Sequence, residues 1–170
     1  MAPDQERAHA ALSFILPELE KRSLRYVITG GFACYTYGIK RPLTDIDIDI
    51  DTAKDSETFK EFYASLAEKM TQPLEHLVDQ NYDNYNFEIT VDGIIVDICP
   101  MAEMKVFDVT KNKYVNFYET GFPAYETVDF FGLKLNLLSK ELILKNKEML
   151  RWQRESDHRD IAGLRELLGV

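Results

Sequence analysis

Apolar residues at Ala8, Ala11, Leu12, Ile15, Leu16 and Leu19 recur at helical spacing, which predicts an amphipathic helix over residues 4 to about 21 with Pro17 as a place for a kink. The pattern then shortens. Residues 25–29 (RYVIT) are apolar and β-branched and run into Gly30-Gly31, which reads as a strand entering a tight turn. A helix over residues 32 to about 37 is expected next, closing at Gly38. Over residues 43–51 the alternation is strict, with Ile46, Ile48 and Ile50 on one face and Asp45, Asp47, Asp49 and Asp51 on the other. Phe59, Phe62, Tyr63, Leu66 and Ala67 return to helical spacing and predict a crossover helix over residues 56–70, capped by Asp55 or Ser56. Residues 86–91 and 94–99 flank Asp92-Gly93, a pair suited to a type I′ turn. They are expected to form an antiparallel hairpin with Asp97 on its second strand and Pro100 ending the pairing. Residues 111–136 mix aromatics with Gly121, Pro123 and Gly132 and read as irregular chain with short strands around Phe130 and Leu135. Residues 139–152 and 157–168 read as two closing helices, the first capped by Ser139.

This order of elements predicts an α/β fold, a small mixed sheet flanked by helices. A chain of 170 residues suits one domain spanning residues 1–170, with a core over about 24–100 and closing helices over about 139–168. Hydrophobic residues at 45% and charged residues at 29% set disorder aside. A net charge of −9 argues against a long, sequence-independent nucleic-acid footprint, while leaving room for a local basic patch. No stretch approaches the roughly 18 apolar residues of a membrane span, and MAPDQERAHAAL is too charged for a signal peptide. The expectation is a cytoplasmic protein with no membrane association. Cys34 and Cys99 form no CxxC and read as buried thiols; His9, His76 and His158 share no metal-ligand spacing and read as surface groups.

The aspartate row is the most informative feature. Alternate side chains on a strand lie about 7 Å apart, and like charges at that distance repel by roughly 2 kcal/mol per pair at an effective dielectric of 20. A hard divalent cation would offset this, since magnesium takes one or two carboxylates and fills its other positions with water and substrate phosphate. Asp45 and Asp47, nearest the strand start, are the preferred pair, and Asp97 on a neighbouring strand would stand beside them. The competing readings are a solvated edge strand that uses charge against aggregation, and for Asp97 a hydrogen-bonded strand carboxylate. Gly30-Gly31 adds a place where backbone amides can approach phosphate oxygens, although it lacks the GxGxxG and GK[ST] patterns and taken alone is simply a turn.

The run GGFACYTYGIKRPLTDIDID, followed later by IIVDI, resembles the nucleotidyltransferase superfamily: a glycine pair opening a helix, a DxD on the next strand and a third carboxylate on a later strand. Its nearest likeness is to small single-domain bacterial and archaeal members related to antibiotic nucleotidyltransferases and AbiEii-type toxins. The resemblance covers about residues 26–99. It implies that Gly30 and Gly31 meet a nucleoside triphosphate, that Asp45 and Asp47 bind both metals, Mg2+ or Mn2+, and that Asp97 binds the catalytic metal and can take the acceptor's proton. It also implies transfer of a nucleoside monophosphate to an acceptor hydroxyl with release of pyrophosphate. In the tail a lysine can approach the phosphates; Lys147 matches best and Lys145 competes, with a solvated helix lysine as the alternative for both. Arg41 can steady a phosphate, pair with an aspartate or lie solvated on the surface, and Asp160 caps or pairs within the tail helices.

Asp49 and Asp51 extend the usual pair, so the register of the metal-binding aspartates is open by one repeat. A small-molecule acceptor, in a pocket using Tyr82, Tyr85 or Phe87, is favoured over tRNA or protein, which a toxin-like transferase would modify. A non-catalytic nucleotide-binding module is the remaining alternative, and a homodimer is compatible with all three.

Overall fold

Helix α1 (Pro3–Lys21) starts on a proline, whose missing N–H would have no partner in a first turn anyway, and continues through Pro17. Its Ala8, Ala11, Leu12, Ile15 and Leu19 are fully buried. In this computed structural model, which describes every residue but Thr120, α1 packs on a mixed sheet. The strands are β1 (Tyr26–Thr29), β2 (Asp45–Ile50), β3 (Met70–Val78), β4 (Tyr82–Val91), β5 (Ile94–Pro100), β6 (Lys105–Asp108), β7 (Lys113–Asn116), β8 (Tyr125–Phe130) and β9 (Leu133–Leu138). They lie in the order β7-β6-β4-β5-β2-β1-β9-β8, with β3 also on β4. Helix α2 (Gly30–Thr36) follows β1 directly, α3 (Glu57–Ser65) lies between β2 and β3, and α4 (Lys140–Met149) and α5 (Glu155–Leu168) close the chain.

The strict alternation of β2 does what period-two patterning dictates. Ile46, Ile48 and Ile50 join Val96, Ile98 and Phe87 in the core, each at most 1% exposed. Phe87 meets Phe59, Phe62 and Tyr63 edge-to-face at ring separations of 6.0, 6.4 and 4.9 Å. It therefore cannot line an acceptor pocket, contrary to the expectation, because its strand turns it toward α3 rather than toward the aspartates. The β4–β5 hairpin turns on Asp92 and Gly93, whose φ of 48° and 79° are the left-handed pair a type I′ turn requires.

Boundaries differ where polar chain carries order. The crossover helix stops at Ser65, and after a single 3-10 turn the chain enters β3, a strand with bulges and a largely exposed surface that period-two patterning does not reveal. Ser56, not Asp55, caps α3, accepting from the Phe59 amide at 3.2 Å. Residues 111–136 hold more strand than expected, β7 and the β8–β9 hairpin; Thr120 in that stretch lies outside the described residues. Ser139 caps α4 as expected, accepting from the Leu142 amide at 3.4 Å. Among the described residues no helix is long and apolar enough to cross a membrane.

Candidate functional site

Strand register decides which carboxylates meet. β2 and β5 run parallel with Asp47 opposite Asp97, and β1 runs antiparallel to β2 with Thr29 opposite Asp47. On β4, antiparallel to β5, Glu88 lies opposite Asp97. Side chains at paired positions share a face, so Thr29, Asp47, Asp97 and Glu88 form one row across four strands, with Asp45 on the same face. Asp45 accepts from the Thr44 hydroxyl at 2.8 Å.

The glycine pair is built into this row. Gly30 has φ +61°, and a Cβ there would lie 1.9 Å from Oδ2 of Asp47. Only glycine lets the β1–α2 turn close over that carboxylate. At Gly31 a Cβ would lie 2.3 Å from the Arg41 guanidinium, so Arg41 packs flat against the turn.

Burial and like charge push the acids upward. Burial, then Asp45, Asp97 and Asp49, raise Asp47 well above the usual carboxylate range, with Lys147 pulling the other way. Burial raises Asp97 to about 6 although Asn86 opposes it. Asn86, 4% exposed, donates its amide to both Asp97 oxygens at 2.9 and 3.0 Å, and its own Oδ1 is buried without a partner among the described residues. Asp49 is set apart from Asp45 and Asp47: it is 3% exposed, accepts from the Tyr118 hydroxyl and is raised by burial to about 7. Asp51 pairs with Arg25. The row thus divides into a front pair and two individually partnered acids.

Lys147 and Arg41 occupy a second network. Lys147 is 5% exposed and contacts Asp157 at 2.8 Å and Asp160 at 2.9 Å; Asp160, fully buried, also pairs with Arg41. Asp160 therefore pairs within the tail helices, as expected, and also reaches outside them to Arg41. Its second oxygen and the Arg41 Nε are buried without partners among the described residues. Burial would raise Asp157, but Lys147 and the Arg154 amide bring it down to about 2. Lys145 lines a surface groove with Val109 and Leu168, which none of the β2 or β5 aspartates lines. Tyr82 donates to Asn146 at 2.9 Å, and Tyr85 stacks on His76 at 4.6 Å.

Sequence reasoning brought together Gly30, Asp45, Asp47 and Asp97, and missed Asn86, Glu88, Tyr118, Asp157 and Arg154. The signal for Asn86 and Glu88 was present, because a two-residue turn at Asp92-Gly93 fixes which β4 positions face Asp97. Tyr118 had none. Among the described residues no three acidic, histidine or cysteine side chains already converge in an ion-holding cluster.

No family model matches the chain, and no curated protein matches it in sequence. Solved structures do match. A provisionally designated nucleotidyltransferase from Thermotoga maritima superposes with a TM-score of 0.64 at 20% identity, covering 94% of this chain and 91% of that one. The lincosamide antibiotic adenylyltransferase LnuA, solved with lincomycin bound, gives 0.56 at 20% identity over 92% and 95%. ANT(2″)-Ia, solved in complex with adenylyl-2″-tobramycin, gives 0.58 at 16% identity over 95% and 90%. The chain has the nucleotidyltransferase fold, and that fold, not sequence, carries the likeness.

Proposed function

We propose that this protein is a metal-dependent nucleotidyltransferase that moves a nucleoside monophosphate from a nucleoside triphosphate to an acceptor hydroxyl and releases pyrophosphate. The observation that carries the reading is the register: Asp47 opposite Asp97 on parallel strands, with Asp45 on the same face and the glycine turn closed over Asp47. Such a row is costly as a purely structural feature, since burial and mutual repulsion hold Asp47 far from its usual range.

The donor set fits a hard divalent cation, Mg2+ or Mn2+. All three groups are carboxylates, and Lys147, which acts against the rise of Asp47, is already engaged by two aspartates. Asp45, Asp47 and Asp97 would hold the metal, which when bound neutralises charge on the triphosphate and polarises the phosphorus under attack. The chain's own contribution is placement. Gly30 and Gly31 allow the backbone close to the phosphates, and Arg41 and Lys147 hold positive charge behind that turn. Asp97, opposite Asp47 on the neighbouring strand, is the carboxylate that would take the acceptor's proton. A small-molecule acceptor is supported by the two antibiotic-related structures of the same fold and by a net charge of −9, which disfavours a polyanionic acceptor.

Calorimetric titration with ATP, GTP, CTP and UTP in magnesium tests this. The wild type is expected to bind at least one of them, and Asp45→Ala/Asp47→Ala to bind none. Absence of binding by a folded wild type would overturn the reading.

A further inference from the structure

Two cations compete for the role of phosphate ligand, and the geometry separates them. Lys147, the residue the resemblance favours, is buried and has carboxylate partners at 2.8 and 2.9 Å. Reaching a ligand would require it to give up two buried carboxylates, leaving Asp157 and Asp160 each with one cation fewer. Arg154 is its opposite. It stands just before α5, and its side chain is 64% exposed. Among the described residues its side chain makes one hydrogen bond, Nε to Asp157 Oδ2 at 3.3 Å, and the same carboxylate oxygen accepts from its backbone amide at 2.9 Å. No protein hydrogen bond is made by the terminal nitrogens of its guanidinium among the described residues, so the planar end of the fork is available.

Its position follows from a chain of contacts. Asp157 joins Arg154 to Lys147, Lys147 joins Asp160, Asp160 joins Arg41, and Arg41 lies against Gly31, whose neighbour Gly30 covers Asp47. Against burial, Asp157 chiefly and then Asp45 and Asp47 favour the charged Arg154, so the guanidinium is within electrostatic reach of the carboxylate row.

Resting on the transferase reading above, we infer that Arg154 is the phosphate-binding cation of this site, clasping the nucleotide's polyphosphate through its free guanidinium nitrogens, while Lys147 serves as the fixed post that holds Asp157 beneath it. Arginine is suited to this task because its fork matches two phosphate oxygens at once. Asp157 would fix the inner end of the side chain and leave the outer end to the ligand.

The test is magnesium-dependent calorimetry on the full chain with the triphosphate that the wild type binds, its monophosphate, and the variants Arg154→Ala and Arg154→Lys. Loss of a charge-assisted contact should weaken triphosphate binding about tenfold to a hundredfold in Arg154→Ala. The monophosphate should be affected much less, and Arg154→Lys should recover part of the loss. Both variants should stay cooperatively folded, with Arg154→Ala melting only slightly below the wild type, since Lys147 still holds Asp157 when the Arg154 contact is lost. Equal triphosphate affinity in wild type and Arg154→Ala would overturn the inference and leave the transferase reading standing. An equal loss for triphosphate and monophosphate would overturn it as well, since the effect would not follow the phosphates. A wild type that binds no nucleotide would overturn both.

Discussion

Asp157 and Asp160 are among the most buried polar side chains of the protein, yet Asp157 is held down at about 2, while Asp47 and Asp97, less completely covered, are pushed up. Burial is the largest push on Asp47 and Asp97, and it acts on Asp157 too; what adds to the difference is who stands beside them. The tail acids have Lys147, Arg41 and Arg154 within contact, whereas the acids of β2 and β5 have chiefly one another. Buried carboxylates with matched cations close a structure, whereas for carboxylates that chiefly face one another the proposed metal would supply the opposing charge. The two networks touch through the glycine turn, where Gly30 rests on Asp47 and Gly31 on Arg41.

The largest expected effect breaks the matched side. Lys147→Met leaves Asp157 and Asp160 buried with one cation fewer and should cost about 3–5 kcal/mol, read by urea unfolding. A cost below about 1 kcal/mol would mean that the network does not close the fold. Next, Gly30→Ala places a methyl group where Asp47 already lies and strains a left-handed backbone, at an expected cost of about 1–3 kcal/mol. Repeating it in an Asp47→Ala background should recover part of that loss, because the clash is with this one side chain. A fully additive pair would place the strain in the backbone alone.

The pH dependence of stability separates the networks more finely. Asp157 has a lowered folded value, so its contribution is present above about pH 4 and disappears as pH falls toward about 2. Asp97 and Asp49 have raised folded values, about 6 and about 7, so their contribution has the opposite sign: it is full below about pH 4 and is lost as pH rises through 6 and 7. In metal-free solution Asp97→Asn should therefore gain on the wild type between pH 4 and 7 by on the order of 1 kcal/mol. An unchanged pH profile would show that Asp97 ionises without penalty.

How much of this could be read beforehand follows from the kind of signal each part leaves. The β2 row and the glycine turn are local patterns, and period-two alternation fixes their faces before any tertiary contact is known. The Asp47–Asp97 pairing needed only a parallel neighbour. By contrast, the Lys147–Asp157–Asp160–Arg41 network joins residues more than a hundred positions apart, and nothing in the tail's helical spacing says that its polar face turns inward. Phe87 was misplaced for a related reason: an aromatic beside acids looks like a pocket wall until the hairpin register sends it to the other face. β3 escaped because its burial is too slight to impose a pattern.

The smallest effect concerns Asn86, where stability and ionisation should part company. Its amide donates to both Asp97 oxygens, a contact that favours the charged carboxylate, while its own Oδ1 is buried with no partner among the described residues. Replacing it with alanine removes both features and leaves a small cavity, whereas leucine, close in volume, removes both and keeps the space filled. Losing the hydrogen bond costs about 1 kcal/mol, and losing an unsatisfied buried oxygen returns a comparable amount. Asn86→Leu should therefore unfold within about 0.5 kcal/mol of the wild type, with Asp97 titrating at a higher pH than its already raised 6, followed by carboxyl carbon NMR. A large loss of stability with an unmoved titration would make Asn86 a packing residue. A near-neutral fold with a displaced titration would make it the group that keeps Asp97 charged enough to act.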